Sequence, residues 1–154
     1  MSGWRTLIGQ DSDVPGVYGS FYFQKCDATI FSNGTTRLND RFGFAISSDI
    51  NSEWFVYDPG NVIPINTWVH YTVSVSPNII TLYKNGIAIN SLNNSFTFAT
   101  VLPTTKVYIG AGVFNNIIGD YWPGRIGVVR IYNRPLTQSE VFQNYVSNRA
   151  RFNI

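Results

Sequence analysis

From Arg5 onward, apolar and polar residues alternate at period two in short runs, and turn formers interrupt those runs about every 8–12 residues. A backbone that sends successive side chains to opposite faces requires this period, so the pattern predicts short antiparallel strands with one face buried. The runs place strands over residues 5–10, 18–25, 28–32, 41–48, 53–58, 67–76, 79–84, 87–90, 106–111 and 124–132. Ser76-Pro77-Asn78 supplies a fixed φ for one turn. Asn85-Gly86 supplies two residues that tolerate positive φ, as a two-residue type I′ hairpin demands, so ITLYK and IAIN are predicted to pair. In TWVHYTVSVS, Val69, Tyr71, Val73 and Val75 point to one side, while Trp68, His70, Thr72, Ser74 and Ser76 point to the other.

The period changes after Pro135. Thr137 and Glu140 stand at capping-box spacing, and Val141, Phe142 and Tyr145 then share one face of about 11 helical residues. That apolar stripe is predicted to cover a sheet. Many strands with one short C-terminal α-helix specify an all-β protein built as two packed sheets or a closed barrel.

The 154 residues fit a single domain spanning 1–154, large enough to bury a core without a staple. One cysteine, Cys26, excludes an intrachain disulfide, and with a single histidine there is no four-ligand Cys/His zinc set. SGWRTLIGQ after Met1 lacks the basic start and apolar run of a signal peptide, and no apolar run is long enough for a spanning helix, so membrane insertion is not predicted. Only 13% of residues are charged, leaving Asn, Ser, Thr and Gly to supply surface polarity, which suits neutral polar ligands. Residues 1–60 carry four basic against seven acidic side chains, and residues 61–154 seven against two. The basic residues are scattered along strands and turns instead of being concentrated on one element, which argues against nucleic acid as a partner.

The succession WVHYTVSV, ITLYKNGIAI, KVYIGAG and PGRIGVVRIYNRPLTQSEV resembles the laminin G-like modules of the concanavalin A-like lectin/glucanase superfamily, firmly from Thr67 onward and loosely over residues 4–58. The resemblance implies a two-sheet antiparallel jelly-roll sandwich. It also implies a non-catalytic module recognising glycans, such as a host or cell-surface polysaccharide, or another biological surface. Family members often hold a structural Ca²⁺ with an acid near the positions of Gly127 and Val128, where this chain has none. They also usually carry one or two strands before the segment matching TLIGQ, so the module is expected either to lack its first strands or to have that edge completed by a neighbouring domain or subunit. The tail FQNYVSNRARF is similar to laminin G-like endings in tailed-phage virion proteins, which implies an extracellular or virion-surface setting within a larger or multimeric assembly.

Glucanases of this superfamily need paired carboxyls about 5–5.5 Å apart on one strand. This chain has two glutamates, Glu53 and Glu140, and the second is the predicted helix cap, so a glycoside hydrolase is disfavoured. Asp11 and Asp13 lie in the turn-like GQDSDVPG, His70 is read as a sheet-face residue, and Cys26 as a hydrophobe. GAGVF follows a strand without opening a helix, so it fails as a dinucleotide loop. Sugars offer apolar C–H faces and a rim of hydroxyls, and sites for them combine aromatic rings with neutral hydrogen-bonding groups. Two stretches have that mixture: Trp54 with Tyr57, and the loop holding Asn115, Asn116, Asp120, Tyr121 and Trp122. If Ca²⁺ is held, Asp11, Asp13 and Asp58 are the candidate oxygen donors; no other cofactor is expected. The competing reading is a structural or virion-assembly unit that packs against neighbours and binds no sugar.

Overall fold

A computed structural model describes residues 3–10, 20–26, 29–30, 36–37, 41–47, 53–60, 63–93, 95, 106–114 and 117–154. In chain order the strands are β1 (Arg5–Gln10), β2 (Phe21–Cys26), β3 (Thr29–Ile30), β4 (Thr36–Arg37), β5 (Arg41–Ser47), β6 (Glu53–Tyr57), β7 (Tyr71–Val75), β8 (Ile79–Lys84), β9 (Ile87–Asn93), β10 (Val107–Ile109), β11 (Gly112–Phe114) and β12 (Ile117–Gly119). Helix α1 (Gln138–Phe152) follows. Antiparallel pairing builds a five-stranded sheet in the order β10-β1-β2-β5-β6, a three-stranded sheet in the order β7-β8-β9, and the two-stranded ribbons β3-β4 and β11-β12.

The two sheets close on one another because the predicted alternation holds on their facing sides. Ile8, Phe23, Phe42, Phe44 and Val56 from the larger sheet meet Ile80 and Leu82 from the smaller one, all of them buried. Tyr71, Val73 and Val75 add the inward face of β7. Aromatic contacts lock the layers, with Phe42 and Tyr71 rings 4.4 Å apart and Phe23 edge-on to Tyr71 at 6.2 Å. The larger sheet is also apolar on its outer face, where Trp4, Tyr22 and Tyr57 pack on Ala45 and Phe55. Gly43 makes this possible: a Cβ there would lie 2.5 Å from the Phe55 ring.

Asn85 and Gly86 both take positive φ, 50° and 78°, and join β8 to β9 as the expected hairpin. The asparagine also receives the His70 N–H on its side chain at 3.0 Å and donates its own N–H to the His70 carbonyl at 2.8 Å. His70 is therefore spent on the turn, and β7 begins at Tyr71 instead of Thr67, since beyond the hairpin loop no strand remains to pair with.

Helix α1 covers the outer face of the smaller sheet, as its stripe predicts. Thr137 and Glu140 form the reciprocal cap, and the helix runs 15 residues, a turn longer than expected. Leu136 and Val141 bury against Tyr83 of β8, the Ser74 hydroxyl donates to the Leu136 carbonyl at 2.9 Å, and Gln138 donates to the Gly86 carbonyl at 2.7 Å. Phe142 departs from the expectation: it is 48% exposed, because Val141 and Tyr145 take the inward stripe and leave Phe142 at the rim of the Gly86 turn.

Three further differences are local. The Lys106–Ala111 region yields only β10, which ends at Gly110 with φ 81°. The segment expected to be a loop before the final strand instead forms the β11-β12 ribbon. Residues 124–132, expected to be a strand, join no ladder among the described residues. They pack through side chains, with Val129 on the inter-sheet core and Gly127 beneath the Phe152 ring of α1. The strand β1 lies between β10 and β2, so both of its sides are occupied.

Candidate ligand-binding cleft

At one side of the sandwich, β6 ends the larger sheet and β9 ends the smaller one. Between them opens a cleft of about 310 Å³ lined by Trp54, Phe55, Val56, Tyr57, Asn90, Ser91 and Leu92. Its geometry begins with a bulge in β9: Leu82 pairs with Asn90 and Tyr83 with Ala88, leaving Ile89 as an extra residue. The bulge breaks the strict alternation. Ile89 and Leu92 can then both reach the core while Asn90 also turns toward β6.

Asn90 is fixed by two bonds, its Nδ2 donating to the Tyr57 carbonyl at 2.8 Å and its Oδ1 accepting the Ser91 N–H at 2.9 Å. A primary amide carries two donors and two acceptor lone pairs, so one of each is left over in a side chain that is already oriented. On β6, Trp54 and Val56 face inward, and the Trp54 ring packs half-buried against the core. Phe55 and Tyr57 face the outer layer, their rings stacked at 5.9 Å, with the Arg41 guanidinium 5.4 Å from the Tyr57 ring centre. Trp54 and Tyr57, predicted together, do meet at the cleft, but from opposite faces of their strand.

Asp58 follows directly and ties the sheets. Its Oδ2 accepts from the Tyr71 hydroxyl at 2.6 Å and pairs with the Lys84 ammonium at 2.8 Å; its Oδ1 accepts the Gly60 N–H at 2.8 Å. Burial alone would raise its pKa, but the bonds from Lys84, Tyr71 and Gly60 outweigh that and hold the carboxyl below its ordinary value. Burial and the Asp58 carboxylate both push the Tyr71 hydroxyl up, so it stays a donor. A Ca²⁺ at Asp58 would have to displace an ammonium ion, so this carboxylate does not fit the calcium role considered for it. Among the described residues no three His, Cys, Asp or Glu side chains gather as a metal set, and Asp11 and Asp13 lie outside the described residues.

The second predicted stretch is a corner of the fold. Thr6 donates to the Asp120 carbonyl at 2.8 Å, Trp122 donates to the Gly110 carbonyl at 2.9 Å, and Asp120 turns with φ 49°. Trp122 drives its ring into the core, edge-on to Phe42 at 5.8 Å, while Tyr121 is 64% exposed. Asn115 and Asn116 lie outside the described residues. The two stretches do not converge: Trp54 pairs across from Ile46, whereas Trp122 touches Phe42, four residues or roughly 13 Å away along β5. Sequence reasoning missed Asn90, Ser91 and Leu92. The available signal was the failure of alternation in IAINSLN, which a plain strand does not show.

A laminin G family profile described as the Concanavalin A-like lectin/glucanases superfamily matches residues 4–142. Among solved structures, the chain is similar to the CBM40 of the Ruminococcus gnavus IT-sialidase at 14% identity and TM-score 0.63, covering 94% of this chain and 75% of that one. A second similar structure is an S-layer domain-containing protein (residues 221–444) from Clostridium thermocellum ATCC 27405, at 21% identity and TM-score 0.44, covering 94% and 64%. No curated protein matches the chain.

Proposed function

The chain belongs to the concanavalin A-like lectin/glucanases superfamily, and we propose that it acts as a non-catalytic module that binds glycans on a biological surface. The observation that carries this reading is the β6/β9 cleft, which sets aromatic rings beside a pre-oriented neutral amide. The shared fold with a solved CBM40 is consistent with it. Two of the described acids serve the scaffold: Asp58 holds Lys84 and Tyr71, and Glu140 caps α1 and pairs with Arg134 at 2.6 Å. A single shallow sugar site gives about −4 to −5 kcal/mol, or sub-millimolar to millimolar affinity, so useful adhesion comes from several copies in one assembly. An extracellular or virion-surface placement follows from that role, and no described helix is long and apolar enough to cross a membrane.

The test is retention on immobilised polysaccharides. The protein is expected to be retarded and its Tyr57→Ala variant to elute earlier; elution of both with an inert control would overturn the reading. A second reading, packing against a neighbouring subunit, is favoured by the exposed apolar side chains Val107, Ile109, Ile117, Ile118 and Tyr121. Sedimentation at micromolar concentration decides it: a concentration-dependent oligomer dissolved by Ile117→Lys supports this reading, and a monomer excludes self-packing.

A further inference from the structure

We propose that the β6/β9 cleft selects uncharged saccharides and discriminates against acidic ones, an inference that rests on the glycan-binding reading and specifies its ligand class. Among the described residues, the seven that line it include no carboxylate, ammonium or guanidinium group. Of the described charged side chains beside the lining, Arg41 sits over the Tyr57 ring on the outer face of the larger sheet, and Asp58 is paired with Lys84. Recognition of a sugar carboxylate or sulfate normally relies on charge-assisted, often bidentate, bonds from Arg or Lys. An anion placed between Trp54, Val56 and Leu92 would lose hydration without such a partner. A pyranose hydroxyl pair needs much less, one donor and one acceptor on a rigid support. Asn90 retains that capacity after bonding Tyr57 and Ser91, and because those bonds fix its rotamer, little side-chain freedom is lost on binding. Its volume lies at the low end of the range for small-ligand sites, about 300–1,000 Å³, so it suits a short stretch of sugar chain.

The experiment is a binding series by calorimetry with neutral oligosaccharides and with sialylated, uronate-containing and sulfated ones, at low and high NaCl. It compares the wild-type chain with Asn90→Ala and with Ser91→Arg, which alters an exposed side chain and leaves the core untouched. Fold is checked in each by circular dichroism. Expected are binding of a neutral oligosaccharide that changes less than twofold with salt, and at least fivefold weakening in both variants. Acidic sugars binding in preference, with affinity falling as salt rises, would overturn the neutral-ligand inference while leaving the glycan reading intact. Neutral binding unchanged in folded Asn90→Ala and Ser91→Arg would remove the cleft as its site. No binding to any sugar would overturn the glycan reading and this inference with it.

Discussion

Asp58 accepts hydrogen bonds on both oxygens while only 5% exposed, so its removal leaves Lys84 and the Tyr71 hydroxyl without their partner between the sheets. Breaking such a pair from one side costs about 2–4 kcal/mol, less than for a fully buried pair because the Lys84 side chain stays 27% exposed. Asp58→Ala is expected to lower the urea midpoint accordingly. Because the folded carboxyl lies below its ordinary value, its contribution is complete above about pH 4 and is lost as pH falls through the depressed value. His70 acts in a different window. Its Nδ1 is buried and makes no hydrogen bond among the described residues, its ring lies 6.0 Å from Tyr145, and the Asn85 amide group holds its backbone. Burial, and then the Arg130 charge, lower its pKa from 6.5. The unfolded chain therefore takes up the proton first, and stability declines as pH falls below about 6.5. Urea midpoints at pH 7.5 and 5.5 are expected to differ in the wild type and to converge in His70→Gln; an unchanged difference would contradict this role.

Among the elements, α1 was the most legible in the sequence because its cap is local chemistry: Thr137 and Glu140 read three residues apart and bond as they read. Glu140 is held at about 2 by Arg134 first and by Thr137 next, so the cap persists well into acid. Thr137→Ala is expected to cost about 1 kcal/mol. The Asn-Gly hairpin was equally legible, for the same local reason. Long-range geometry was not. Residues 124–132 alternate as a strand does, yet Gly127 is committed to the Phe152 ring, with which a Cβ would collide at 2.5 Å. Gly127→Ala should therefore displace the Phe152 ring and loosen the last turn of α1, seen as faster amide exchange over residues 149–152 with β8 unchanged. The β9 bulge was hidden because alternation alone does not say which residue is extra. Trp54 and Trp122 were legible as aromatic and polar-flanked, but whether a ring faces solvent or core depends on the opposite sheet, and here both turn toward the core.

At the scale of the molecule, two antiparallel sheets share a core of Phe, Ile, Leu and Val, with a helix sealing one outer face and aromatic rings covering the other. That division leaves the side where β6 and β9 end as the place where neutral polar groups and aromatic rings meet. The low charged fraction was a whole-sequence hint of this chemistry, although the residues that carry it come from segments 33 positions apart, which no local pattern joins. Chemical-shift mapping is the most direct measurement: a ¹⁵N-labelled chain titrated with a neutral oligosaccharide. The account predicts that the largest amide shifts fall on residues 54–57 and 90–92. Shifts concentrated at 117–122, or none at saturating sugar, would contradict it.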